Sequence, residues 1–308
     1  RIILNRMALL KQRLAEIDTQ KSTQRRENQW GFVDFNRPMV AINQWEQAED
    51  SMYTLCGKDR IHPSTDGHLV MAYLFLKAQG LAGKPVADIR IDGAGKKVTR
   101  SDNCRVSDLS VSSDNLTFTY EAKSLPYPID TSYYDNEKHT QADALSVIPF
   151  MDEMNYEGLS VSGLSDGYYG LTIGGEFIGR FTARELERGI NMALLQNTPQ
   201  YKQAMKIRQM NEERWLKERK MREFYWVEYN LMRKTGMLWA CNEAAVDTLR
   251  KYRPHDIFLQ WNGDLWLQYM HKGIREDCVN EQQDLVNQIY EQNKPIPLRI
   301  EIKKFTDL

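Results

Sequence analysis

Eight consecutive apolar residues, Leu69-Val70-Met71-Ala72-Tyr73-Leu74-Phe75-Leu76, lie between Gly67 and Gly80. A surface helix keeps a polar face, and this run offers none over two turns. The segment is therefore expected to be a largely buried helix, covered by other elements of a layered fold. Upstream sequence supplies candidates for those layers. Ile2–Leu14 reads as an amphipathic helix with apolar residues at 3, 7, 10 and 14. After the polar stretch Asp18–Gln29, the short apolar run from Trp30 to Phe35 fits one buried strand of a parallel sheet. Helix, strand and buried helix together predict an α/β layer.

The chain of 308 residues is 42% apolar and 27% charged, enough for a sizeable core in one large domain or two to three small ones. A formal charge of -1 gives no electrostatic case for nucleic acid, which needs a cationic surface to displace counterions. The basic run Lys217–Arg222 is interleaved with Glu and reads as a solvated helix face. No apolar run is long enough to span a bilayer, and no signal peptide is visible. Cysteines at 56, 104, 241 and 278 have neither a CxxC pair nor the density of a disulfide scaffold, and are expected as free or buried thiols. Because the first helix opens in mid-pattern at Arg1, upstream sequence is expected to be missing.

Three regions follow from the pattern: residues 1–82 as α/β, 83–182 as a β-rich module, and 183–308 as a helical region. Gly83, Pro85, Gly93 and Gly95 mark the first boundary. Strands are predicted over Arg105–Val111, Leu116–Tyr120, Leu159–Val161, Tyr168–Ile173 and Glu176–Phe181, with Ser112–Asn115 and Gly174-Gly175 as hairpin turns. A helix is expected within His139–Met154. Thr182-Ala183-Arg184-Glu185 has the spacing of a capping box, and Thr198-Pro199 opens a long helix that runs through Arg214–Arg233 to Gly236. Further helices are expected over Cys241–Tyr252 and Asp264–Asn293. Trp215, Tyr225, Trp226 and Tyr229 read as a packing stripe on the long helix.

The residues that carry chemistry are in Asp59-Arg60-Ile61-His62-Pro63-Ser64-Thr65-Asp66-Gly67-His68. In a hydrolytic triad a carboxylate holds Nδ1–H of an imidazole, fixing its tautomer, while Nε2 takes the nucleophile's proton. An Asp three residues before a His can reach back across one tight turn to do this. Other residues here read more simply. His68 reads as structural, a helix cap, and Cys56 as a packed thiol. Two histidines six apart without a third ligand make a poor metal site. Arg60 fits either an anionic substrate group or solvent.

This block resembles the last conserved block of SGNH/GDSL esterases, in which Asp-x-x-His-Pro is followed by Gly-His and an apolar helix. Asp59 and His62 match the Asp and the catalytic His of that block, Pro63 follows, and Gly67-His68 leads into Leu69–Leu76. The resemblance covers about residues 1–82. It implies the C-terminal part of a flavodoxin-like three-layer α/β/α hydrolase domain, with the β-rich and helical regions as the kind of appendage some bacterial members carry. It also implies acyl transfer to water through an acyl-serine, with His62 as general base then acid and Asp59 orienting it, and with no metal or organic cofactor. Acylated carbohydrate leads as substrate class, and a periplasmic or extracellular setting follows by the same analogy.

The family's Gly-Asp-Ser nucleophile block and its oxyanion donors precede the Asp-x-x-His block, and none can be placed before residue 59. Gly163-Leu164-Ser165-Asp166-Gly167 has the look of a nucleophile elbow, but it falls between two predicted strands and reads as a hairpin turn. The expectation is a hydrolase of which this chain supplies Asp59 and His62 but not the serine. The rival expectation is a non-catalytic binding scaffold on a degenerate hydrolase fold.

Overall fold

The computed structural model describes residue 12 and residues 31–132 and 139–305. The expected helix Ile2–Leu14 lies outside them except for Gln12, which is helical. Trp30 lies outside as well, and residues 31–35 are not a strand. Instead the chain turns directly into a helix, Asn36–Glu46. Asp34 Oδ1 accepts from the N–H of Arg37 at 3.1 Å, satisfying a donor of the first turn, and Pro38 in that turn has no N–H to satisfy. Local helix-start chemistry thus wins over the short apolar run, whose Phe32 is half exposed. The next helix, Thr65–Ala78, buries Leu69, Val70, Tyr73 and Leu74, while Ala72 and Phe75 face outward. The eight-residue run therefore has two faces despite its uniform composition.

The strands are β1 Ala87–Asp92, β2 Lys97–Asp102, β3 Cys104–Val111, β4 Asn115–Ala122, β5 Glu157–Ser162, β6 Tyr168–Ile173, β7 Glu176–Thr182, β8 Ile190–Asn191 and β9 Leu298–Lys304. They form two sheets, ordered β2-β1-β5-β8 and β3-β4-β9-β6-β7. Only β1 and β5 pair in parallel among the described ladders. Gly174 and Gly175, with φ of 60° and 86°, close the β6–β7 hairpin as its two left-handed turn residues. Gly163–Gly167 is not a hairpin turn: it carries the chain from β5 in one sheet to β6 in the other.

Both sheets contribute to one core, in which Ile89, Ile91, Leu159 and Val161 meet Phe118, Tyr169, Leu171, Ile300 and Ile302. A second core joins Ile42, Leu55, Leu69, Val70 and Tyr73 to Ile129, Val147, Ile148 and Phe150, so residues on both sides of position 82 share it. Within His139–Met154 the helical residues are a 3₁₀ turn, Gln141–Ser146, and one α turn, Phe150–Glu153. Tyr73 Oη and Lys77 Nζ both donate to Glu153, at 2.8 and 3.2 Å, tying the buried helix to that segment.

The described residues divide into two compact units, one ending at Lys202 and resumed from Pro295, the other Gln203–Lys294. The second holds most of the helix Pro199–Val227, its continuation as a π-helical turn Glu228–Met232, and helices Glu243–Tyr252, Ile257–Tyr269 and Lys272–Gln292. Its core is built on Phe224, Val227, Met232, Leu249 and Trp266. The expected single helix over Asp264–Asn293 is broken at Met270-His271, where Arg275 Nη1 donates to the carbonyls of Tyr269 and Met270 and so satisfies a helix C-terminus. The basic run does form a solvated face, with Arg219–Glu223 and Arg222–Glu218 ion pairs at 2.8 Å. Trp215, Tyr225 and Tyr229 do not form a packing stripe, being 47%, 40% and 48% exposed.

One buried polar cluster lies among the apolar side chains of the first unit. Glu157 is fully buried and accepts from Tyr120 Oη at 2.8 Å and Gln200 Nε2 at 3.1 Å, both at Oε1. Its Oε2 has no hydrogen-bond partner among the described residues. Burial raises the Glu157 pKa to about 7, opposed in smaller measure by those two hydrogen bonds. The folded protein therefore holds this proton where the unfolded chain has released it, and stability falls as pH rises from about 4.5 to about 7. The linked loss is on the order of 3 kcal/mol. Urea unfolding of Glu157→Gln should lose that slope and match or exceed the wild type at pH 8, where the buried carboxylate is charged; a variant markedly weaker than wild type at pH 8 would refute the raised pKa of Glu157.

Candidate active site

The loop that carries Asp59 and His62 is closed at its base by the backbone. Gly57 N–H donates to the His62 carbonyl at 2.8 Å, Cys56 and Pro63 form an isolated bridge, and Ser64 N–H donates to the Leu55 carbonyl at 3.0 Å. Within the loop, Arg60 N–H donates to the Gly57 carbonyl at 3.0 Å, and Arg60 takes a left-handed φ of 56° that closes the turn. Pro63 then hands the chain to Ser64, the residue before the helix Thr65–Ala78. At Gly67 that helix comes so close to the loop that a Cβ would sit 2.0 Å from the Leu55 carbonyl oxygen. Glycine is required there by contact with backbone, which cannot yield as a side chain can.

Asp59 uses both carboxylate oxygens. Oδ1 accepts from the N–H groups of Ile61 at 3.0 Å and His62 at 3.1 Å, an Asp-centred turn of the kind short acidic side chains favour. Oδ2 lies 2.5 Å from His62 Nδ1. The hydrogen bond from His62 lowers the Asp59 pKa to about 2, with the two backbone N–H groups adding to it. The imidazole side chain is 82% exposed and that of Asp59 is 47% exposed. Nδ1 is thereby committed to the carboxylate, and Nε2 has no partner among the described residues. This is the hydrogen-bond arrangement in which an imidazole can accept a proton from an external hydroxyl.

A second acid–imidazole pair lies beneath the loop. Asp66 is buried, and its Oδ1 accepts from Gly67 N–H at 2.8 Å and from Ser64 Oγ–H. Ser64 Oγ also lies 3.0 Å from the Leu55 carbonyl. Asp66 Oδ2 is 3.6 Å from His139 Nδ1, and the His139 ring stands edge-on to Tyr53 at 5.8 Å. Burial raises the Asp66 pKa above the ordinary carboxylate range, while Ser64 and His139 act against it. Burial, and then the charge of Asp66, likewise raise the Tyr53 hydroxyl. Ser64 is spent on Asp66 and the Leu55 carbonyl.

The structure brings Asp59 and His62 together and leaves the other candidates apart from them. His68 is exposed in the first turns of the helix, its N–H on the Ser64 carbonyl; the capping position is Ser64, so His68 is not the cap. Cys56 Sγ makes no hydrogen bond to His62 among the described residues, and all four cysteines are free. Ser165 Oγ accepts from Lys304 Nζ at 2.8 Å and lies 3.1 Å from Tyr169 Oη, with no imidazole bonded to it. No cluster of three His, Cys, Asp or Glu side chains could hold a metal among the described residues. Sequence reasoning passed over Asp66 and His139. The acidic residue just ahead of an apolar helix was the available signal for the first; nothing local pointed to the second.

Comparison with known proteins gives two matches. Residues 205–294 match the family model described as the diltiazem deacetylase C-terminal helical domain, and they fall within the second unit. The solved structure of a gut microbial diltiazem-metabolizing enzyme is similar to the chain at 41% sequence identity with a TM-score of 0.85. That likeness covers 96% of this chain and 66% of the other, so the chain spans about two thirds of that enzyme's length. No curated protein matches the chain. The mixed sheet-and-helix architecture is one shared with an enzyme.

Proposed function

We propose that the protein is a carboxylic ester hydrolase of the serine type, in which this chain supplies His62 as general base and Asp59 as its orienting carboxylate. The observation that carries the reading is Asp59 Oδ2 at 2.5 Å from His62 Nδ1, with Nε2 open. The nucleophilic serine and the oxyanion donors are proposed to lie outside residues 1–308. In support, no described hydroxyl is hydrogen-bonded to His62, and the chain spans 66% of its solved relative. The SGNH/GDSL assignment rests on the Asp59–His68 block and is part of the proposal, as is a periplasmic or extracellular setting.

In the proposed reaction, serine Oγ attacks the acyl carbon and its proton passes to His62 Nε2. The imidazolium, held by Asp59 Oδ2, returns that proton to the departing alkoxide. Water then repeats the sequence on the acyl-serine and releases the acid. The substrate class is narrowed by the relatives. One is named as diltiazem-metabolizing, and the helical family is named for a deacetylase. Both favour acetyl esters of small molecules ahead of acylated glycans.

Two measurements test this reading. Fluorophosphonate labelling of the native full-length protein, with peptide mapping, should mark one serine upstream of Arg1, and His62→Ala should abolish the labelling. Absence of labelling on folded protein would reject the hydrolase and favour the binding scaffold. Asp59→Asn should lower kcat by about 10⁴-fold with little change in KM, the size of effect seen when a triad carboxylate is neutralised. An Asp59→Asn enzyme of unchanged kcat would show that the pair orients nothing.

A further inference from the structure

Three exposed aromatic rings stand together in the second unit. Tyr225 and Tyr229 are one helical turn apart, and both rings meet Trp239 edge to face, at 6.0 Å and 87° and at 5.9 Å and 88°. No ring contact joins the two tyrosines to each other among the described residues. The indole plane is therefore nearly perpendicular to both phenol planes, and Phe224, buried, lies 5.3 Å from Tyr225. Each of the three rings is 40–48% exposed. Trp239 also holds a left-handed backbone, φ 62°, which is rare for a bulky residue and persists where surrounding structure enforces it.

What enforces it is Glu228. Its Oε2 accepts from the Trp239 N–H at 2.8 Å and its Oε1 from Trp266 Nε1–H at 2.8 Å. Glu228 opens the π-helical turn that separates Val227 from Arg233, a distortion found often at functional positions. The side chain is 1% exposed, and no ion pair reaches it among the described residues. Buried carboxylates are ordinarily paired with a cation. Arg275 lies against the buried ring of Phe224 at 4.8 Å, with Nη1 on two helix-end carbonyls.

We propose that Tyr225, Tyr229 and Trp239 form an aromatic cage for an alkylammonium cation, with the Glu228 carboxylate behind Trp239 supplying the complementary negative charge. Ring faces attract a positive charge through their quadrupole, and the attraction grows as the cation is enclosed by more than one ring. The site goes beyond the ester-hydrolase reading and does not depend on it.

Choline and its uncharged carbon analogue dimethylbutanol separate a cation site from an apolar patch, because they share size and shape. Calorimetric titration of the full-length protein should give saturable binding of choline and at least about tenfold weaker binding of dimethylbutanol. Tyr225→Leu and Tyr229→Leu should each weaken choline by about tenfold, whereas Tyr→Phe at either position and Trp215→Leu should leave it. Glu228→Gln should weaken choline and spare dimethylbutanol, with thermal melts confirming that each variant is folded. Equal affinity for the two probes, absence of saturable choline binding, or indifference to both Tyr→Leu changes would overturn the proposal.

Discussion

The contact between the Gly67 backbone and the Leu55 carbonyl is the constraint on which the candidate site depends. With no side chain at position 67, the start of the helix Thr65–Ala78 can press onto the strand of chain that precedes the Asp59–His62 loop. Ser64 bonds to the same carbonyl, and Asp66 gathers the Ser64 hydroxyl and the Gly67 N–H into one buried knot. The two ends of the loop are therefore fixed to each other before the loop itself makes any turn. A loop of fixed ends and few residues has little entropy left to lose, so one acidic side chain suffices to shape the rest. The buried helix ties this knot to the core through Leu69, Val70 and Tyr73.

Such a site can be read from sequence because its parts are near neighbours in the chain. Asp59 reaches only Ile61 and His62, and the turn between them needs nothing from elsewhere. The same is true of the capping box at Thr182 and Glu185, whose reciprocal hydrogen bonds both form, and of the Gly174-Gly175 hairpin. Short-range rules suffice where the satisfying partner lies within about one turn.

Elements whose partners are distant were not legible. β2, Lys97–Asp102, is an edge strand with no buried residue, so it shows no apolar alternation to read. β1 carries Asp88, buried at 3% exposure and held at 3.0 Å by Arg90 and by Arg100 across the ladder, which disguises an inward position as a polar one. β9 does alternate, with Leu298, Ile300 and Ile302 inward, but it follows a long helical stretch and becomes central only by inserting between β4 and β6. The run from Trp30 to Phe35 failed for the opposite reason. Its apolar content suited a strand, yet Asp34 and Pro38 had already specified a helix start two residues later.

The two acid centres of the first unit show how position decides what a carboxylate does. Asp59 lies at the surface, where N–H donors outweigh a small desolvation and keep it charged. Glu157 is enclosed between two sheets, where Tyr120 and Gln200 cannot offset the loss of water, and the proton returns. Exposure with several donors keeps a carboxylate charged, whereas enclosure with few donors lets it take up a proton at a much higher pH. Exposure of the dyad has a further consequence. Its geometry is set by hydrogen bonds within the loop, two from backbone N–H groups and one from the imidazole, on a base held by the buried Ser64–Asp66–Gly67 knot, so the pair is formed before any substrate or nucleophile meets it. What the open Nε2 lacks is a low-dielectric surround to strengthen the proton transfer, and in the proposed reaction that surround comes from the elements bearing the serine and the bound ester.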